Sequence, residues 1–182
     1  MARVLGAVVA AALVAACGGS SKSGGGGGAQ CKVAASLGAL GTVAGSVTGT
    51  GSGTDILWSG DLNAETTPDR VAVELYDTFG VFAGGITPGV YSLSGDELNY
   101  ATCGLCVLLL GDADPVTGEP AAYYMATGGV VEVLSVAGTL TLALDSVTFH
   151  EVTIDPSTFE STPVGSCTAT ITSMSVNDPL PP

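Results

Sequence analysis

The densest chemistry in this chain is the run Cys103-Gly104-Leu105-Cys106, a C-x-x-C spacing that admits redox, zinc and structural readings. A thioredoxin-like site needs its first thiol at a helix N-terminus within a βαβ unit, where amide dipoles stabilise the thiolate. Val107-Leu108-Leu109-Leu110 follows instead and reads as a strand. A zinc site needs two further ligands at close spacing, and the remaining candidates Cys31, Cys167 and His150 are scattered. Four thiols in an exported domain are most simply two disulfides. Extended residues 103 to 106 would hold the two Cα atoms roughly 10 Å apart, beyond the ~7 Å a disulfide bridges. Cys103 and Cys106 are therefore expected to bond separately to Cys31 and Cys167.

Two further groups could do chemistry. His150 is the single histidine, between Phe149 and Glu151, and no G-x-S-x-G elbow accompanies it, so it reads as a surface residue. Asp112, Asp114 and Glu119 lie in the segment Asp112-Ala113-Asp114-Pro115-Val116-Thr117-Gly118-Glu119, the richest oxygen-ligand cluster. Its spacing departs from a calcium loop, and an acidic hairpin turn is the expected reading. No metal or other cofactor is expected. Sugar-stacking platforms would draw on Trp58, Tyr76, Tyr91, Tyr100, Tyr123 and Tyr124, of which alternation places Tyr123 and Tyr124 on opposite faces.

The elements that must position these residues are short strands. Val71, Val73 and Leu75 alternate with Ala72, Glu74 and Tyr76; Leu140, Leu142 and Leu144 alternate with Thr141, Ala143 and Asp145; Cys167, Ala169 and Ile171 alternate with threonines. Cys106 to Leu110 and Val130 to Val136 are more continuously apolar and are expected to be central strands buried on both faces. Apolar parity changes between Leu144 and Val147, which predicts a bulge near Asp145-Ser146. Turn residues punctuate the chain, no helix-period stretch follows residue 30, and 27 glycines and 5% aromatics leave the core to Val, Leu, Ile and Ala. The fold class expected is all-β, an antiparallel β-sandwich with a partly open β-barrel as the alternative.

Composition excludes some partners. Four Lys+Arg against 17 Asp+Glu give a net charge of −13, and residues 31 to 182 keep only Lys32 and Arg70, so no nucleic acid is bound through counterion release. Hydrophobic residues at 46% are enough to drive folding of a single domain.

The first thirty residues carry an address. Arg3 precedes an apolar run from Val4 to Ala16, shorter than the ~20 residues that span a bilayer. The run ends in Leu13-Val14-Ala15-Ala16-Cys17, which resembles the lipobox of bacterial lipoproteins. The resemblance implies cleavage before Cys17, diacylglycerol on its thiol, acylation of the new amino group and a membrane partner held through that lipid. Gly18 stands where the family's inner-membrane retention signal has Asp, which implies passage to the outer membrane, with either face open. The domain organisation expected is a signal peptide at 1–16, a lipidated Gly/Ser-rich tether at 17–30 and one β-sandwich domain at 31–182. The segments Leu98 to Val107, Tyr124 to Gly129 and Val147 to Val152 resemble a group of uncharacterised, β-rich, cysteine-containing bacterial lipoproteins, which adds no chemistry. The expected role is a non-catalytic structural or interaction domain in the cell envelope, its protein or polysaccharide partner unnamed. The alternatives are a carbohydrate- or calcium-binding surface module and a hydrolase.

Overall fold

The computed structural model describes residues 31–49 and 55–181. The expectations for the signal peptide, Cys17 and the tether lie outside the described residues. The strands are β1 (Gly38–Thr42), β2 (Gly45–Gly49), β3 (Ile56–Asp61), β4 (Arg70–Leu75), β5 (Gly89–Ser92), β6 (Leu105–Gly111), β7 (Ala122–Ala137), β8 (Thr139–Ile154) and β9 (Ser161–Pro179), with 3₁₀ turns at Gly80–Phe82 and Gly95–Leu98. The all-β expectation holds. All nine strands belong to one mixed sheet in the order β1-β9-β8-β7-β6-β4-β3-β2, not closed into a barrel, and β5 pairs with β7. Pairing is antiparallel except at one edge, where β1 lies parallel to β9.

The layers expected of a sandwich come from a single sheet that curls over itself. Val71, Val73 and Leu75 of β4, Leu105, Val107 and Leu109 of β6, Leu140, Leu142 and Leu144 of β8 and Ala169, Ile171 and Val176 of β9 all join one buried cluster. Inward residues from both ends of a strand order can meet only if the sheet bends around them. The bend is concentrated at bulges in the long strands. Where Gly128 pairs Thr148 and Val130 pairs Asp145 the register shifts, and Ser146 takes φ 52°, as the parity change predicts. Gly129 faces this bulge at φ 124°, and a Cβ there would lie 2.6 Å from the Val147 Cα. No other residue fits.

A second, smaller cluster of Ala72, Tyr100, Cys103, Cys106, Leu108, Met125 and Val152 covers the opposite face of β4, β6 and β7. Cys106 to Leu109 are accordingly buried on both faces, whereas Leu110 at the end of the expected run is half-buried. Val130 to Val136 differ from expectation: Val131 and Val133 are buried, whereas Leu134 is 51% exposed and Glu132 is exposed. The reason is that the outer cluster stops short of this half of β7, so its outward face meets solvent.

The two terminal strands of the sheet, β1 and β2, are consecutive in the chain and are joined by Val43-Ala44. The chain therefore crosses the open seam between β9 and β3. Val43 N donates to Ser175 O at 2.9 Å on one side. Asp178 Oδ2 accepts from Gly45 N at 3.1 Å and from Trp58 Nε1 at 2.7 Å on the other. Trp58 is 1% exposed, and its indole lies so close to Gly45 and Gly60 that a Cβ at either would strike the ring.

The disulfides are Cys31–Cys167 and Cys103–Cys106, which corrects the expectation of two distant bonds for Cys103 and Cys106. The physical reason is a turn. The chain turns at residues 100–102, where Thr102 N and Cys103 N both donate to Asn99 O, and bends again at Gly104 before β6 starts at Leu105. The Cα atoms of Cys103 and Cys106 are thus 5.3 Å apart, within bridging range. The Cys31–Cys167 bond spans a sequence separation of 136 residues. On the chain-entropy estimate such a loop contributes about 5 kcal/mol, against about 2 kcal/mol for a four-residue loop.

Non-reduced peptide mapping should recover a Cys103–Cys106 bridged peptide and a Cys31–Cys167 pair; a Cys31–Cys106 peptide would contradict the turn. Asp178→Ala should lower the unfolding free energy in urea by about 2–3 kcal/mol, because it strips the partner from a buried indole N–H and a backbone amide. An unchanged midpoint would show that the seam is held elsewhere.

Candidate functional site

The C-x-x-C turn is surrounded by polar groups on both faces. Glu97, from the 3₁₀ turn Gly95–Leu98, is 3% exposed and places both oxygens beneath the turn. Oε1 accepts from Val81 N at 3.0 Å and Oε2 from Leu105 N at 2.6 Å. Tyr76 N donates to Gly104 O at 2.8 Å, and a side chain at Gly104 would collide with the Phe79 carbonyl. Only glycine allows the 79–81 segment to close over the turn.

On the outward side, Glu74 pairs across the strands with Cys106. Its Oε2 accepts from Tyr76 Oη at 2.7 Å and from Tyr100 Oη at 2.9 Å. Burial first, and the Glu74 charge second, push the Tyr76 phenol well above its usual range, so it stays a proton donor to Glu74. Both cysteines are fully buried beneath these groups. Thiol–disulfide exchange needs in-line access to a sulfur, and both sulfurs here are enclosed.

The acidic segment does not converge. Asp112 turns at φ 49° to pair with Lys32 Nζ at 3.0 Å, while its own N–H donates to Asp69 Oδ1 at 3.2 Å. Asp114 Oδ1 folds back to accept from Val116 N and Thr117 N, both at 2.8 Å. Glu119 Oε2 accepts from Tyr123 Oη at 3.4 Å. Among the described residues no group of three or more His, Cys, Asp and Glu is placed to hold a metal ion.

This turn occurs twice. Asp155 Oδ1 accepts from Ser157 N at 2.8 Å and Thr158 N at 2.9 Å. The backbone bonds also match: Gly118 N to Asp114 O and Asp114 N to Glu119 O, Phe159 N to Asp155 O and Asp155 N to Glu160 O. The shared signal is Asp-Pro-x-Thr-x-Glu at 114–119 and 155–160. Backbone N–H donors hold both aspartates below the usual carboxylate range. Desolvation raises that of Asp69, with the Asp112 amide opposing and the Asp112 and Glu65 charges adding to the rise. Burial and then Glu119 push Tyr123 up to about 12.

His150 lies half-buried between Met125 on β7 and Thr168 on β9, its Nδ1 2.9 Å from Glu151 O. Of the aromatics, Trp58, Tyr100 and Tyr124 are buried, and Tyr91 packs edge-on to Phe82 with centroids 4.9 Å apart. Tyr124 is in the core and Tyr123 on the other face, as alternation predicts. Glu97, Asp178 and the Glu74–Tyr76–Tyr100 group carry no spacing signal and are visible only in the fold.

Comparison with family models, with curated proteins and with solved structures finds no match.

The two turn aspartates contribute stability that is fully present above pH 3.8, their unfolded value, and lost as pH falls through their lower folded values. Asp69 acts in the opposite sense. An Asp114→Ala/Asp155→Ala variant should have a lower Tm near neutrality and a shallower further loss between about pH 4 and about pH 2 than the parent. Parallel acid limbs in the two proteins would contradict the assignment.

Proposed function

We propose that the chain is a lipid-anchored envelope protein whose β-domain is a non-catalytic structural or interaction module. One observation carries the non-catalytic part: the groups best suited to chemistry are already engaged in holding backbone and ring. Glu97 carries Val81 N and Leu105 N, Asp178 carries Gly45 N and Trp58, Asp114 and Asp155 carry their own turns, and Cys103 is bonded to Cys106. A general base or nucleophile must be open to exchange its proton with a substrate. A carboxylate oxygen that already accepts N–H donors is a weaker base.

The anchoring part rests on Cys17 behind its short apolar run, and on the glycine-rich segment that separates it from Cys31. One acyl chain gives reversible membrane binding and two or more hold firmly, at about 0.8 kcal/mol per buried CH₂. The outer membrane is the proposed location.

Intact mass spectrometry of the mature protein from membranes should show an N-terminal Cys17 with diacylglyceryl and acyl additions, and Cys17→Ala should move the protein out of the detergent phase. Retention of the variant in that phase would refute the anchor.

A further inference from the structure

The outward face of β5, β7, β8 and β9 differs from the rest of the surface. Val90 is 67% exposed on β5 and Leu134 51% exposed on β7, and between and beside them run Val130, Glu132, Ala143, Asp145, Ser173 and Ser175. All of these except Leu134, which stands two residues along β7 from Glu132, line an open groove of about 510 Å³ that reaches Gly41 on β1 and also takes in Leu144, Thr172 and Met174. Register fixes the layout: Val90 pairs Glu132, Glu132 pairs Ala143, and Val130 pairs Asp145, which pairs Ser173.

Charge identifies the occupant. Residues 31 to 182 contain only Lys32 and Arg70 against 17 acids, and these two cations are bound to Asp112 at 3.0 Å and Asp61 at 2.7 Å. Among the described residues no cation reaches Glu132 or Asp145; Asp145 accepts only from the adjacent Ser146 hydroxyl at 2.6 Å. Two carboxylates thus stand in an apolar, small-residue groove with no internal counter-charge. A second copy of this acidic chain would add repulsion, which favours a cationic partner.

Spacing narrows the partner further. Glu132 and Asp145 are diagonal neighbours on adjacent antiparallel strands, a relation that separates Cβ atoms by about 7–8 Å. An extended peptide repeats its side chains on one face every two residues, about 6.6 Å. Five strands at about 4.8 Å give a path of about 19 Å from β5 to β1, the reach of about six extended residues. We propose that this groove binds an extended segment of another protein that presents an apolar residue to Val90 and Leu134 and basic residues at the second and fourth positions beyond it, toward Glu132 and Asp145. This names the partner chemistry of the interaction module proposed above and rests on that reading only for its biological setting.

The test uses the full chain in detergent micelles, uniformly ¹⁵N-labelled, titrated with acetyl-Val-Ser-Lys-Ser-Lys-Ser-amide at low salt. Amide shifts should concentrate at Val90, Val130, Glu132, Asp145 and Ser173. Glu132→Gln/Asp145→Asn should weaken binding at least tenfold, Val90→Ser should weaken it a few-fold, and a peptide of the same composition with adjacent lysines should bind more weakly. These positions are exposed or line the open groove, so the variants should keep the parent's spectrum elsewhere. Equal binding by the double variant, equal binding by the rearranged peptide, shifts centred on the Asp114 and Asp155 turns, or no binding would each overturn the proposal. So would a concentration-dependent dimer, by sedimentation, that covers Val90. Cys17→Ala protein separates the two readings: peptide binding retained without lipid upholds the groove when the anchor fails, and lipid present without binding does the reverse.

Discussion

One carboxylate stands where the ends of the sheet come closest. Asp178, near the end of β9, holds Gly45 of β2 and the buried Trp58 indole of β3, and so binds the last strand to the far edge of the strand order. The curl that brings β4 and β6 over β8 and β9 is also tied by the Cys31–Cys167 disulfide and the Lys32–Asp112 pair, but at the seam itself Asp178 supplies the directional contact. Directionality matters here, because apolar burial is non-directional and does not by itself choose how far a sheet rolls. A hydrogen bond to an indole fixes the roll at one value. The Trp58 ring then demands glycine at 45 and 60, so one polar contact dictates residue types on two strands.

Much of this was legible from alternation. Val71 to Leu75, Leu140 to Leu144 and Cys167 to Ile171 all place their apolar set on the core, and the parity change at Asp145-Ser146 marks a real bulge. Alternation reports which way a side chain points on its own strand. It is blind to what lies over the opposite face, which is why Cys106 to Leu109 and Val130 to Val136 read alike yet differ. The first run is covered by the outer cluster around Tyr100, whereas the second is left open, a difference set by a segment some thirty residues away. The disulfide error has a related origin. An extended reading of residues 103 to 106 misses the bend at Gly104, which follows directly on the turn closed by Asn99 O.

The paired Asp-Pro-x-Thr-x-Glu turns show how the same local chemistry can be put to different use. At the αL position the first has Gly118 at φ 76° and the second has Phe159 at φ 62°. Left-handed backbone is strained for an aromatic residue, so the ring must recover that cost elsewhere. Phe159 packs against the outer cluster with Tyr76, Tyr123 and Ile154, while Gly118 has open space around it. Ser161 continues the contact by accepting from Tyr100 N and donating its own N–H to Asn99. The second turn is therefore a clasp that draws the β8–β9 hairpin onto the segment bearing the C-x-x-C turn.

The same division explains where charge is spent. Carboxylates that face backbone amides, at Glu97, Asp114, Asp155 and Asp178, stabilise particular bends and have no need of a cation. Lys32 and Arg70 are used at two further points, where Asp112 and Asp61 stand at strand ends. Glu132 and Asp145 fit neither class: they lie on the interior of long strands, next to exposed valine and leucine, and they brace no turn. A bare acid on an open sheet face does protect against edge and face aggregation, because like charges repel between copies. That role would be served as well by lysine or by charges scattered over the face. It does not account for two carboxylates set one diagonal apart beside an apolar ledge, and it is this placement that gives the groove a direction.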